Sequence, residues 1–294
     1  MKFKILSTKE AKDYIISDKK YLNHCTEHYK KEIGVQNDWS LEKHLQFHVL
    51  GKEKVHLKMM EHLVEESEQD ENLQRTLSQF FSKDEEINII FTTGQDNIGL
   101  PYTLNKAILI PSAYHFPPSP LGFVNPELLV HECWHIISRT NPELRDKAYK
   151  SLGFEKEENI EITKELKKLN LSEEYYFINP DAINNNYIYK TDAILDKNNN
   201  EYNFILPFLS KGMSSAILIF DEDKNILGID SLSKSKEYIQ NFNIGYNNSI
   251  EEVCAELLRA KTFNHDHIYD NVKDSQQFYN TIFKKQKIEN KNKM

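Results

Sequence analysis

The chain has few cysteines and lacks long apolar runs. Its 294 residues include three cysteines, Cys25, Cys133 and Cys254, which are too few and too scattered for a disulfide framework. No apolar run approaches the roughly 20 residues of a membrane-spanning helix. The basic start of the chain is followed by too short an apolar stretch for a signal peptide. We therefore expect no membrane span and a cytoplasmic location, with export that needs no N-terminal signal peptide as the alternative.

An excess of basic residues is also absent. Lys and Arg together number 37 against 45 for Asp and Glu, which gives a formal net charge of −8. General nucleic-acid binding depends on a basic surface, so we expect no nucleic-acid partner. The length is sufficient for one large domain or two small ones, and the sequence does not indicate the oligomeric state.

Hydrophobic patterning predicts a helical first part and a mixed second part. In the charge-rich segment 7–84, apolar residues recur four apart, which is typical of helices. Short apolar runs predict five strands, at Ile87–Thr92, Ala107–Pro111, Tyr202–Phe208, Ser215–Phe220 and Asn225–Asp230. The Asn- and Tyr-rich stretch from Tyr176 to Tyr202 is predicted to be irregular.

Helix start signals place the later helices. Asn125-Pro126-Glu127 predicts a helix from Pro126 to about Arg139. Asn141-Pro142-Glu143 predicts another, with Gly153 as its C-terminal stop. A polar helix is predicted near 156–170, and Asn248-Ser249 predicts a helix from about Ile250 to Lys261.

The segment His131-Glu132-Cys133-Trp134-His135 is an H-E-x-x-H pattern inside a predicted helix. Residues four apart lie one turn apart on the same helix face, so both imidazoles can reach one metal ion. Glu132 follows the first ligand and is placed to act as general base on a metal-bound water. The apolar neighbours of the motif favour a metal, because a buried carboxylate is costly unless a positive charge pairs with it.

A catalytic zinc ion needs a third protein ligand. The downstream candidates are several Asp residues, His265, His267 and the acidic residues between Glu251 and Glu256 on the predicted second helix. For Glu252 the alternative interpretation is a solvated acidic face, because it lies nearly opposite the apolar face of that helix.

The two motifs together resemble the gluzincin metallopeptidases, whose third ligand is a Glu on a second helix. The run Glu251-Glu252-Val253-Cys254-Ala255-Glu256 is similar to the E-E-x-x-A-E motif of the dipeptidyl-peptidase III family. The resemblance implies a zinc cofactor, Glu252 as third ligand, and Glu256 and Glu251 as hydrogen-bond acceptors for the zinc-bound histidines. It also implies that Ala107–Pro111 is the edge strand that pairs with substrate. That family has one more residue between its histidines, so the resemblance implies the gluzincin site and not the dipeptidyl specificity.

Hydrolysis also needs a donor for the developing oxyanion. Tyr187 and Tyr189 are the first candidates, and His265 and His267 come next. With 15 tyrosines in the chain, packing is the alternative role for either tyrosine.

These observations predict an α+β, zincin-like fold with a small sheet flanking the HExxH helix and a second metal-ligand helix near the C-terminus. The expected organisation is a helical N-terminal region at 1–84, a catalytic domain at 85–282 with an insertion at about 156–245, and a disordered basic tail at 283–294. The expected function is a zinc metallopeptidase acting on a peptide or protein through a zinc-bound water with Glu132 as general base. The alternative is a non-catalytic zinc-bearing binding or structural protein with a degenerate HExxH site.

Overall fold

In a computed structural model, the chain folds into two compact units, Met1–Thr140 and Asn141–Met294. The structure describes residues 1–17, 57–93, 100–111, 125–158, 160, 164, 167–170, 181, 186–195, 199, 201–209, 215–242, 249–265 and 272–283. Both units contain helices and one sheet, which confirms the α+β class. Within these residues no helix combines the length and the apolar character needed to cross a membrane. The predicted helices between 18 and 56, most of the polar helix near 156–170, His267 and the tail after Phe283 lie outside the described residues.

The first unit contains a four-stranded mixed sheet. Its strands are β1 (Lys2–Ile5), β2 (Glu86–Thr92), β3 (Tyr102–Leu104) and β4 (Ala107–Pro111), in the order β1-β2-β4-β3. β2 runs parallel to both of its neighbours, and β3 pairs antiparallel with β4. The two apolar strands predicted from the sequence, β2 and β4, therefore lie in the middle of the sheet, where a strand is buried on both faces.

β4 is an internal strand, which corrects the expectation that Ala107–Pro111 forms the edge of the sheet. Residues of β4 pair with β2 on one side and with β3 on the other. Among the described strands, β3 is the edge on this side of the sheet and β1 is the edge on the other. The sequence did not predict β3, because three residues are too few for a periodic pattern. The four-residue strand β1, at the start of the region interpreted as helical, was missed for the same reason.

Among the described residues of this unit there are four helices: α1 (Thr8–Ser17), α2 (Leu57–Gln69), α3 (Glu71–Leu77) and α4 (Pro126–Thr140). The last of these confirms the helix predicted from Pro126, and it packs against β3, β4, α2 and α3. At its C-terminal end, Arg139 donates to Thr103 Oγ1 at 2.8 Å and to the carbonyl of Asn105 at 3.3 Å. These two bonds fasten the end of α4 to β3 and to the turn that follows it.

The second unit contains a five-stranded antiparallel sheet whose strands follow chain order. They are β5 (Phe154–Lys156), β6 (Tyr187–Leu195), β7 (Glu201–Leu209), β8 (Ser215–Phe220) and β9 (Ile226–Ser231). The three strands predicted after residue 200 are confirmed to within one residue at each end. One face of the sheet is a buried apolar cluster that includes Ile188, Leu206, Leu218 and Phe220.

β6 corrects the prediction that the whole stretch from Tyr176 to Tyr202 is irregular. Its first three residues, Tyr187, Ile188 and Tyr189, are all buried, so this part of the strand is a core element. Aromatic residues are favoured in strands. The many asparagines around β6 hid this preference, because Asn is depleted in strands and common in turns.

The helices of the second unit are α5 (Pro142–Ser151), α6 (Lys236–Phe242), α7 (Ile250–Thr262) and α8 (Ser275–Ile282). α5 packs against β5, α7 and α8, and α6 packs against β6. The structure confirms α5 and α7 as predicted from their start signals. Gly153 follows the end of α5 with φ of +86°, the left-handed conformation expected of a helix stop.

We expect Gly153→Ala to lower the free energy of unfolding by about 1–2 kcal/mol, because an L side chain pays roughly this cost in the left-handed region. A Cβ at this position would lie 3.5 Å from Cε2 of Tyr189, an ordinary contact, so the cost comes from the backbone and not from a clash. Urea denaturation measures the change. Gly153→Asn should cost less, since Asn tolerates this conformation better. Equal stability of the Ala variant and the wild type would contradict this account.

Candidate metal centre

α4 places the HExxH motif in its central turns. Asn125 accepts a hydrogen bond from the N–H of Leu128 at 2.9 Å, which caps the helix as its sequence predicts. The neighbours of the motif, Cys133, Trp134 and Ile136, are fully buried. Glu132 and His135 are only 3% and 1% exposed, so the helix carries two ionisable side chains into an apolar environment.

The two histidines of the motif lie next to each other. The ring centroids of His131 and His135 are 5.1 Å apart and the ring planes are 74° apart. This is the geometry of side chains one turn apart on a helix face. His131 is half-buried, whereas His135 is buried.

Glu252 joins these histidines in a group of three candidate ligands. One ligand atom from each of His131, His135 and Glu252 lies within 4.8 Å of the other two. This group of residues could hold a metal ion. Two imidazole nitrogens and one carboxylate oxygen are a donor set that zinc accepts, so the residues present fit the ion.

Asp181 belongs to a second group of residues that could hold a metal ion, and sequence reasoning did not single it out. Ligand atoms of Glu132, His135 and Asp181 form a second group within 4.8 Å, which shares His135 with the first. Aspartates were considered as ligands only as a class, because spacing along one sequence does not indicate which distant carboxylate reaches a motif. The short segment Asn179-Pro180-Asp181 before β6 carries no metal-ligand pattern of its own.

Glu251 and Glu256 lie on the same helix as Glu252. Glu251 is buried at 3% exposure, and Glu252 is half-buried, so neither belongs to a fully solvated acidic face. Glu256 accepts a hydrogen bond from Arg259 at 2.6 Å, one turn further along α7. Their roles as hydrogen-bond acceptors for the ligand histidines remain predictions.

Tyr187 has polar partners in the second unit. Its hydroxyl donates to Asp146 Oδ1 and accepts from Arg145 Nε, the latter at 3.2 Å. Burial and the hydrogen bond to Asp146 raise the pKa of Tyr187. The single hydroxyl hydrogen is thus donated to Asp146, and the role of Tyr187 as oxyanion donor remains a prediction.

Tyr189 packs in an aromatic cluster with Phe154, Tyr238 and Phe242. Its hydroxyl lies 3.2 Å from Asn241 Nδ2 and 3.3 Å from Lys273 Nζ. Burial raises its pKa. These contacts of Tyr189 match the packing role that the sequence left open, and its role as oxyanion donor remains a prediction.

His265 was another candidate ligand, and Cys133 and Cys254 lie on the same helices as the two motifs. The backbone N–H of His265 donates to the carbonyl of Ala260 at 2.8 Å, just after the end of α7. Within the described part of the chain, neither ligand group includes His265. Cys133 and Cys254 are unpaired thiols and fully buried, and burial raises the pKa of both. Both therefore act as small apolar side chains that pack within their helices.

Comparisons of the chain with models of protein families, with curated proteins and with solved structures find no match.

Loss of a ligand should remove the metal. We expect wild-type protein to hold about one zinc ion per chain, and His131→Ala and Glu252→Ala to hold close to none, because a three-ligand site cannot lose a ligand without a large loss of affinity. His265→Ala is the matched control and should retain zinc. Elemental analysis by mass spectrometry after dialysis measures the content. Full zinc in Glu252→Ala, or its loss in His265→Ala, would overturn the assignment of the third ligand.

Proposed function

We propose that this chain is a zinc metallopeptidase of the gluzincin type, with zinc held by His131, His135 and Glu252. The observation that carries the proposal is the grouping of these three ligand atoms within 4.8 Å, with Glu132 buried on the same helix as the histidines. The α+β class and the sheet that flanks α4 support a zincin-like fold, which is part of the proposal.

Three ligands leave one position of a tetrahedral ion open, which distinguishes a catalytic zinc site from a structural one. When bound, zinc supplies a Lewis acid that polarises the scissile carbonyl and favours deprotonation of the attacking water. The proposal therefore assigns the centre to hydrolysis, with peptides as the substrate class.

Glu132 is the general base of the proposed reaction. Its carboxylate takes a proton from the attacking water and then donates that proton to the nitrogen of the leaving amine. The position supports this role, because Glu132 directly follows His131 and belongs with His135 to the second group of ligand atoms. Burial at 3% exposure places the carboxylate in a medium where its electrostatic effect on the reacting atoms is strong.

The H-E-x-x-H pattern itself supports a peptide as the substrate, because in metalloproteases the Glu after the first histidine ligand is the general base for amide hydrolysis.

We expect Glu132→Gln to lower kcat/KM for peptide cleavage by about 10²–10⁴-fold, because it removes the group that transfers the proton. Gln is nearly isosteric with Glu, and Glu132 is not one of the three proposed ligands, so the variant should keep its zinc. The measurement uses a peptide that the wild-type protein cleaves in a random peptide library, with zinc content determined on the same samples.

Glu127→Gln is the control, since it makes the same change in the first turn of the same helix. It should cleave the peptide at the wild-type rate. Zinc-loaded Glu132→Gln that cleaves as fast as wild type would contradict the general-base role. Zinc-loaded wild-type protein that cleaves no library peptide would favour the non-catalytic zinc protein.

A further inference from the structure

The N-cap residue of α7, Ser249, forms a hydrogen bond with the backbone of Glu252, the proposed third ligand. Ser249 precedes the helix with φ of −67° and ψ of 150°, the extended conformation of an N-cap. Its hydroxyl oxygen accepts from the backbone N–H of Glu252 at 3.5 Å, and its carbonyl accepts from Val253 N–H at 3.0 Å. The residue that receives the cap's side-chain bond is therefore the residue that supplies the third ligand.

The other capped helices near the centre differ in this respect. Asn125 caps α4 through the N–H of Leu128, one turn before the first ligand of that helix. Asn141 caps α5 through the N–H of Leu144 at 3.1 Å, and α5 carries no ligand. Ser249 alone among these three caps fixes a residue of the ligand group.

We propose that Ser249 is a positioning residue of the metal centre, which holds the first turn of α7 so that Glu252 stays in the ligand group. This inference rests on the proposed function only through the role of Glu252 as a zinc ligand. Ser249 touches no reacting atom and acts through the backbone of Glu252.

The physical reason lies in the end of the helix. The first N–H groups of a helix have no partner within the helix, so the first turn frays unless a cap satisfies them. Zinc binds only the fraction of molecules in which Glu252 is in place, and the apparent dissociation constant rises as that fraction falls. The hydroxyl is also poorly accessible to solvent, because Ser249 is 2% exposed and its neighbours Ile250 and Glu251 are buried. Water therefore cannot readily replace the hydroxyl in Ser249→Ala.

The test measures the zinc affinity of the full chain by competition with a chromogenic chelator. We expect Ser249→Ala to bind zinc about fivefold more weakly than wild type, the factor that corresponds to loss of one N-cap bond. Ser249→Thr keeps a hydroxyl that can cap the helix and should restore the affinity to near the wild-type value. Far-UV circular dichroism and urea denaturation of the metal-free samples show that each variant is folded.

Asn141→Ala is the matched control. It removes the same kind of cap from a helix of similar length that holds no ligand, so it should lower stability and leave zinc affinity unchanged. Wild-type affinity in folded Ser249→Ala, or equal weakening in Ser249→Ala and Asn141→Ala, would overturn the positioning role while leaving the proposed function in place. A wild-type chain that binds no zinc would overturn the proposed function and this inference with it.

Discussion

The candidate centre depends on the burial of two ionisable side chains in an apolar helix. Glu132 and His135 lie in α4 between fully buried neighbours such as Trp134 and Ile136. A buried carboxylate destabilises a fold unless positive charge and hydrogen bonds compensate it. Packing of α4 against β3, β4 and two helices, together with the two bonds of Arg139, keeps these side chains from turning toward solvent. In our account, a metal ion beside the motif supplies the compensating charge.

Glu252 is held by a different set of contacts. α7 buries an apolar side that includes Val253, Cys254 and Leu257, and it packs against α5 and α8. The first turn of α7, where Glu252 lies, is capped by Ser249, whose hydroxyl accepts from the N–H of Glu252. Because the proposed ligands lie on two helices far apart in the sequence, our account predicts that zinc affinity and folding are coupled.

The sequence predicts best where local chemistry decides the structure. The bounds of α4, β4 and β8 follow from capping residues and from short apolar runs, and the HExxH pattern follows from helix periodicity. β1 and β3 were missed because short strands depend on pairing with distant partners. β6 was missed because the asparagines around it are typical of turns, and they outweighed the strand preference of its two tyrosines. Asp181 was missed because only the folded chain brings it near Glu132 and His135.

X-ray absorption at the zinc edge tests the central claim most directly, because it reports the atoms bound to the ion without requiring a substrate. We predict two imidazole nitrogens and oxygen donors at about 2.0–2.2 Å, and no sulfur. The oxygen donors should include one exchangeable solvent ligand, as an open catalytic site requires. A sulfur ligand at about 2.3 Å, or four protein ligands and no solvent, would contradict the account and indicate a structural zinc site.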